Sequence, residues 1–177
     1  MIWSFGNLKH QQKGLTHSNI YGRYITNSKM RVEKDFKEFI ELLNKNEVRY
    51  LIVGGFAYSF YAEPRFTKDI DFFIEPSAEN AEKILKVLEE FGFKSLNIKS
   101  QDFQEPDQII QLGNAPLRID LITSIKGVVF AAAWKNRTEG HYGKIPTYFI
   151  SKADLIKNKK ALSRPQDIAD IEKLIKI

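Results

Sequence analysis

Residues 51–75 read LIVGGFAYSFYAEPRFTKDIDFFIE, and the order of elements in this stretch decides the fold. Residues 49–53 (RYLIV) form a short apolar run ending at Gly54-Gly55, which predicts a buried strand followed by a turn. Residues 56–62 fit a short helix that stops ahead of Pro64, because the residue before a proline is pushed out of the α region. Residues 69–75 (DIDFFIE) alternate as a strand does. Asp69 and Asp71, two apart, leave the same face, while Ile70, Phe72 and Ile74 point the other way, into a core. Two carboxylates side by side repel each other, and burying them without a counter-charge is costly. A divalent cation that favours oxygen ligands, Mg²⁺ or Mn²⁺, resolves the conflict. The plainer meaning, a solvated edge-strand face, stands beside that one.

The diglycine supplies a second half. Placed between a strand and a helix, the backbone N–H groups of Gly54 and Gly55 can approach phosphate oxygens without interference from a Cβ. Arg65, Thr67 and Lys68 lie directly before Asp69, where donors to a triphosphate would be useful. A third carboxylate is expected on a neighbouring strand. Asp120 fits, since Leu117, Ile119 and Leu121 alternate away from Arg118 and Asp120. Three carboxylates on adjacent strands can hold two metal ions for an in-line displacement. Arg118 also has a simpler reading as a salt-bridge partner of Asp120.

Working outward, residues 32–46 carry Phe36, Phe39, Ile40, Leu42 and Leu43 at helical spacing. Ser77 is a candidate N-cap for a helix over 78–91 that Gly92 ends. Strands are expected at 108–112 and 117–122, a helical turn at 128–134, and one or two strands within 142–150. Ser151 to Asp154 resembles a capping box opening a helix to about 162, and Pro165 suits the first position of a last helix. The layout is mixed α/β, with helices flanking a small central mixed sheet. Residues 1–29 show neither period. They are expected to be an N-terminal extension, flexible or translated from an upstream start, ahead of a domain over 30–177. Trp134 and the Phe72-Phe73 pair read as core, Lys159 and Lys160 as a solvated helix face, and Asp167 and Asp170 as acidic residues favouring a helix start.

Composition sets wide bounds. The 177 residues suffice for one domain with a real core, and 43% hydrophobic with 28% charged residues is ordinary for a soluble protein. A net charge of +5 permits a polyanionic partner without demanding one. The absence of cysteine excludes disulfides, a thiolate nucleophile and a thiolate zinc site. His10, His17 and His141 have no metal-ligand spacing. The apolar run over 50–62 falls short of the ~18 residues of a membrane span, and the first residues lack the pattern of a signal peptide. A cytoplasmic protein with no membrane partner is the expectation.

An apolar strand, Gly-Gly, thirteen residues and Asp-Ile-Asp resemble the hallmark of the polymerase-β-like nucleotidyltransferase superfamily. Asp120-Leu-Ile-Thr, Trp134 and the tail Asp154-Leu-Ile, Lys159, Arg164-Pro165, Asp167 and Asp170-Ile171 are similar to minimal members related to AbiEii-type toxins. The resemblance covers residues 32–177. It departs at Ser163, where a glycine is common, and in the first 29 residues. It implies transfer of a nucleoside monophosphate from an NTP to a hydroxyl with release of pyrophosphate. Gly54, Gly55, Asp69, Asp71 and Asp120 would form the active site, with Asp69, Asp71 and Asp120 holding the metal and Lys159 serving the nucleotide. The acceptor could be a tRNA end, a small molecule or a protein. The rival reading is a non-catalytic or partner-silenced half of a toxin–antitoxin-like pair, with a cognate antitoxin-like protein as partner.

Overall fold

In a computed structural model, the described residues are 2–3, 33–93, 97–113 and 117–176. Strands β1 (Ile2–Trp3), β2 (Tyr50–Ile52), β3 (Asp69–Ile74), β4 (Ile109–Leu112), β5 (Arg118–Ile122), β6 (Thr138–Tyr142) and β7 (Ile145–Phe149) form one mixed sheet. Its order is β1-β4-β5-β3-β2-β7-β6. The helices are α1 (Lys34–Lys45), α2 (Gly54–Tyr61), α3 (Ala78–Glu90), α4 (Phe130–Lys135), α5 (Lys152–Leu162) and α6 (Pro165–Lys176). The mixed α/β architecture expected from the sequence is the one observed. Apart from the β1 pair, the segment expected to be an extension lies outside the described residues.

The periodicities have the anticipated physical outcome. Phe36, Phe39, Ile40 and Leu43 form the buried stripe of α1. Its Phe39 ring meets Phe72 of β3 at 5.6 Å and Phe91, just past α3, at 5.1 Å. Ile70, Phe72 and Ile74 are fully buried on that face of the sheet. On the other face, which Asp69, Asp71 and Phe73 share, Phe73 packs edge-on against Phe130 of α4 at 5.1 Å. The Ser77 hydroxyl accepts from the Asn80 amide and caps α3; Ser151 caps α5 in the same way through the Asp154 amide.

Three local readings need correction. Helix α2 begins at Gly54, so the diglycine is its first turn and not a turn ahead of it. Strand β6 begins at Thr138. Its sequence TEGHY is polar because it is an edge strand, with Glu139 and His141 exposed. Lys159 is not on a solvated face: it is 4% exposed, and Asp167 and Asp170 beside it are buried too. The helix-start role expected for those two acids is therefore the lesser part of what they do.

Candidate active site

The central strands β3 and β5 run parallel, and their register sets Asp71 opposite Asp120 and Asp69 opposite Arg118. Because side chains alternate along each strand, all four project from one face of the sheet. The Asp69 side chain is 39% exposed and that of Asp120 only 7%. The carboxylate row thus opens to solvent at one end and runs into the protein at the other.

Helix α2 starts against this row. The Val53 amide donates to the Asp71 carbonyl at 3.0 Å, which fixes the end of β2 beside β3. The chain then turns at Gly54, whose φ of +61° suits glycine and few other residues. The first helical hydrogen bond here runs from the Ala57 amide to the Val53 carbonyl. The Gly54 and Gly55 amides precede it, which leaves them without partners inside the helix. The Cα of Gly55 faces Thr67 and a terminal nitrogen of Arg65.

The predicted site residues divide by what holds them. The Thr67 hydroxyl donates to Asp69 Oδ1 at 2.9 Å and so aims that carboxylate. Lys68 is exposed at the open end of the row. Arg65 turns one terminal nitrogen onto both oxygens of Asp170 at 2.9 Å. Lys159 lies deeper, its Nζ donating to Asp170 at 2.7 Å and Asp167 at 3.2 Å. Arg164 adds a 2.6 Å bond from Nε to Asp167. The cluster therefore ties α5 and α6 to the segment between α2 and β3.

Burial alone would raise the Asp167 carboxyl, but hydrogen bonds from Arg164 and Lys159 more than offset it and hold the group below the usual range. Asp170 is likewise penalised by burial and held low by Lys159 and Gln166. Asp71 goes the other way. Burial, then the charges of Asp69 and Asp120, push it up from 3.8 to about 7, against the opposing pull of Arg118 and Arg164.

Two contacts to the carboxylates are not readable from the sequence, one from Gln111 and one from Arg118 to Asp69. Gln111 of β4, opposite Asp120 in register, donates to Asp120 Oδ2 at 3.3 Å. Arg118 reaches Asp69 as well as Asp120: Nε to Asp120 Oδ1 is 2.7 Å, Nη2 to Asp120 Oδ2 is 3.0 Å, and Nη2 to Asp69 Oδ2 is 2.9 Å. The salt bridge to Asp120 was foreseen. The second arm was not, because cross-strand register cannot be read from alternation alone.

Among the described residues no three acidic, histidine or cysteine side chains already surround a common point; Asp69 and Asp120 turn to Arg118 instead. The donor chemistry nonetheless fits a hard divalent cation. The row offers three carboxylates, and no side chain among the described residues hydrogen-bonds Asp71, whose charge two neighbouring carboxylates disfavour.

No described helix is long and apolar enough to cross a membrane. No curated protein matches the sequence. The crystal structure of the lincosamide antibiotic adenylyltransferase LnuA with lincomycin bound is similar, with a TM-score of 0.51 and 18% identity over 81% of this chain and 96% of that one. At that identity the likeness is one of fold. Residues 30–176 match the family described as nucleotidyltransferase of unknown function, DUF6036. Across most of its length, therefore, this chain belongs to that nucleotidyltransferase family and carries a polymerase-β-like fold.

Proposed function

We propose that the protein transfers a nucleoside monophosphate from an NTP to a hydroxyl acceptor in a reaction that depends on Mg²⁺ or Mn²⁺. The observation that carries this reading is the register of β3 and β5, which brings Asp71 and Asp120 side by side next to the amides that open α2. Asp69, Asp71 and Asp120 would hold the metal. Bound there, a divalent cation would lower the pKa of the acceptor hydroxyl and balance charge on the departing pyrophosphate. The chain's own residues do the rest. The Gly54 and Gly55 amides, at the positive end of α2, donate to phosphate oxygens, with Lys68 and Arg65 as nearby cations. Thr67 serves by aiming Asp69, and Lys159 by fixing Asp170, which in turn orients Arg65. In the transfer, the acceptor oxygen bonds to the α-phosphorus, the bond from that phosphorus to pyrophosphate breaks, and the acceptor proton leaves by way of Asp120.

The LnuA structure holds a small antibiotic, which gives a small hydroxyl-bearing molecule a place among the acceptors beside a tRNA end and a protein. The two-component reading, with an antitoxin-like partner silencing the enzyme, rests on the family resemblance alone. The deciding test is transfer of label from each α-labelled NTP, with Mg²⁺ or Mn²⁺, into host RNA, protein and small-molecule fractions. Label in one fraction that disappears in the Asp69→Ala/Asp71→Ala double variant supports the reaction and names the acceptor class. No label in any fraction, with a full set of NTPs and both metals, would sink the catalytic reading for the isolated chain.

A further inference from the structure

The carboxylate row holds a positive charge of its own. The Arg118 guanidinium binds Asp120 through two nitrogens and Asp69 through one, at 2.7 to 3.0 Å. It sits in register with Asp69 and two residues ahead of Asp120, on the same face. The Arg118 side chain is 36% exposed, so it lies at the open end and has solvent to move into. The two carboxylates it engages are among the three that the proposed function assigns to the metal. A guanidinium and a divalent cation compete for them, because the two charges repel and a lone pair given to one is not available to the other.

We propose that Arg118 is an internal counter-ion. It holds Asp69 and Asp120 in position in the metal-free protein and must leave them when the divalent cation enters. This inference rests on the metal-dependent reading above. The ion-pair contacts lower the free energy of the metal-free state, and metal binding has to break them. Charge-assisted hydrogen bonds of this kind are among the stronger ones in proteins. Removing Arg118 should therefore tighten metal binding, whereas losing a residue that merely supports the ligands would weaken it. The metal-free protein should also become less stable, since three carboxylates would then face one another with less compensation.

The test is Mn²⁺ binding to wild type, Arg118→Gln and Arg118→Lys, followed by electron paramagnetic resonance of the free ion, with melting temperatures taken with and without Mn²⁺. The expected result is Mn²⁺ affinity at least about tenfold higher in Arg118→Gln. Its metal-free melting temperature should be lower than that of wild type, with most of the difference removed by saturating Mn²⁺. Arg118→Lys keeps the charge but loses the two-pronged grip, so it should fall between the two and remain informative should the glutamine variant not fold. Equal or weaker Mn²⁺ affinity in the variants would overturn the proposal while leaving the metal-dependent reading intact. No Mn²⁺ binding by any of the three proteins would overturn both.

Discussion

A β-carbon placed on Gly54 would lie 2.0 Å from Oδ2 of Asp71, so the first residue of α2 and the second carboxylate of β3 occupy touching surfaces. At Gly55 the same atom would meet Thr67 Oγ1 at 3.2 Å, a contact that a few tenths of an ångström relieves. The two glycines therefore differ in what they tolerate. Gly54→Ala has to displace the Asp71 carboxylate and also strains the left-handed backbone, which costs about 1–2 kcal/mol by itself. We expect nucleotidyl transfer to fall by roughly 100-fold or more in Gly54→Ala, as misplacement by about an ångström does elsewhere. Gly55→Ala should lose only a few-fold. Parallel initial-rate measurements decide it, and equal losses would contradict the packing described.

The raised Asp71 carboxyl gives the metal-free protein an unusual dependence on pH. Its folded value of about 7 lies above the ordinary 3.8. Between those values the folded chain binds more protons than the unfolded one, so this group makes stability fall as pH rises from about 4 to about 7. In chelator-treated protein, Asp71→Asn should remove that downward slope. Melting curves across the range check it, and an unchanged slope in the variant would place the destabilising charge elsewhere.

The buried cluster on α5 and α6 has the opposite sign. Asp167 and Asp170 are held below the usual range, so their contribution is present above it and is lost as strong acid protonates them. Asp170→Asn leaves Lys159 Nζ, inside a 5%-exposed side chain, short of its nearest carboxylate. Breaking one partner of a buried ion pair typically costs about 3–5 kcal/mol. Urea unfolding should show a loss of that order. A change below about 1 kcal/mol would mean that Asp167 alone neutralises the lysine.

Thr67→Val removes the hydroxyl that aims Asp69 Oδ1 and keeps the shape of the side chain. Groups that orient metal ligands commonly affect metal affinity by about 10–100-fold. A loss of Mn²⁺ affinity at the lower end of that range is expected. Calorimetric titration measures it directly, and unaltered binding would remove Thr67 from the site.

The carboxylate half of the site was legible because it is written in local alternation. Asp69 and Asp71 share a face by strand geometry, and Asp120 was placed by the apolar residues around it. The limits were those of a one-dimensional pattern. Lys159 sits among polar neighbours in sequence and looks solvated, but Asp167 and Asp170 reach it from the next helix and allow its burial. Gln111 and the second arm of Arg118 depend on which strands pair and in what register. Ser163 departs from a common glycine and takes φ of +54°, so the backbone demand that favours glycine is present even though the residue is not.

The distances along the chain have a consequence for synthesis. Arg118 and Asp69 are 49 residues apart, and Arg65 and Asp170 are 105 apart. A ribosome delivers β3 long before β5, and β5 long before α6. Until α6 emerges, Lys159 has neither acidic partner and Arg65 lacks the carboxylate that orients it. The Arg65 end of the site is thus completed only once α6 has been made, and a product interrupted before α6 carries Asp69, Asp71 and Asp120 without the carboxylate that orients Arg65.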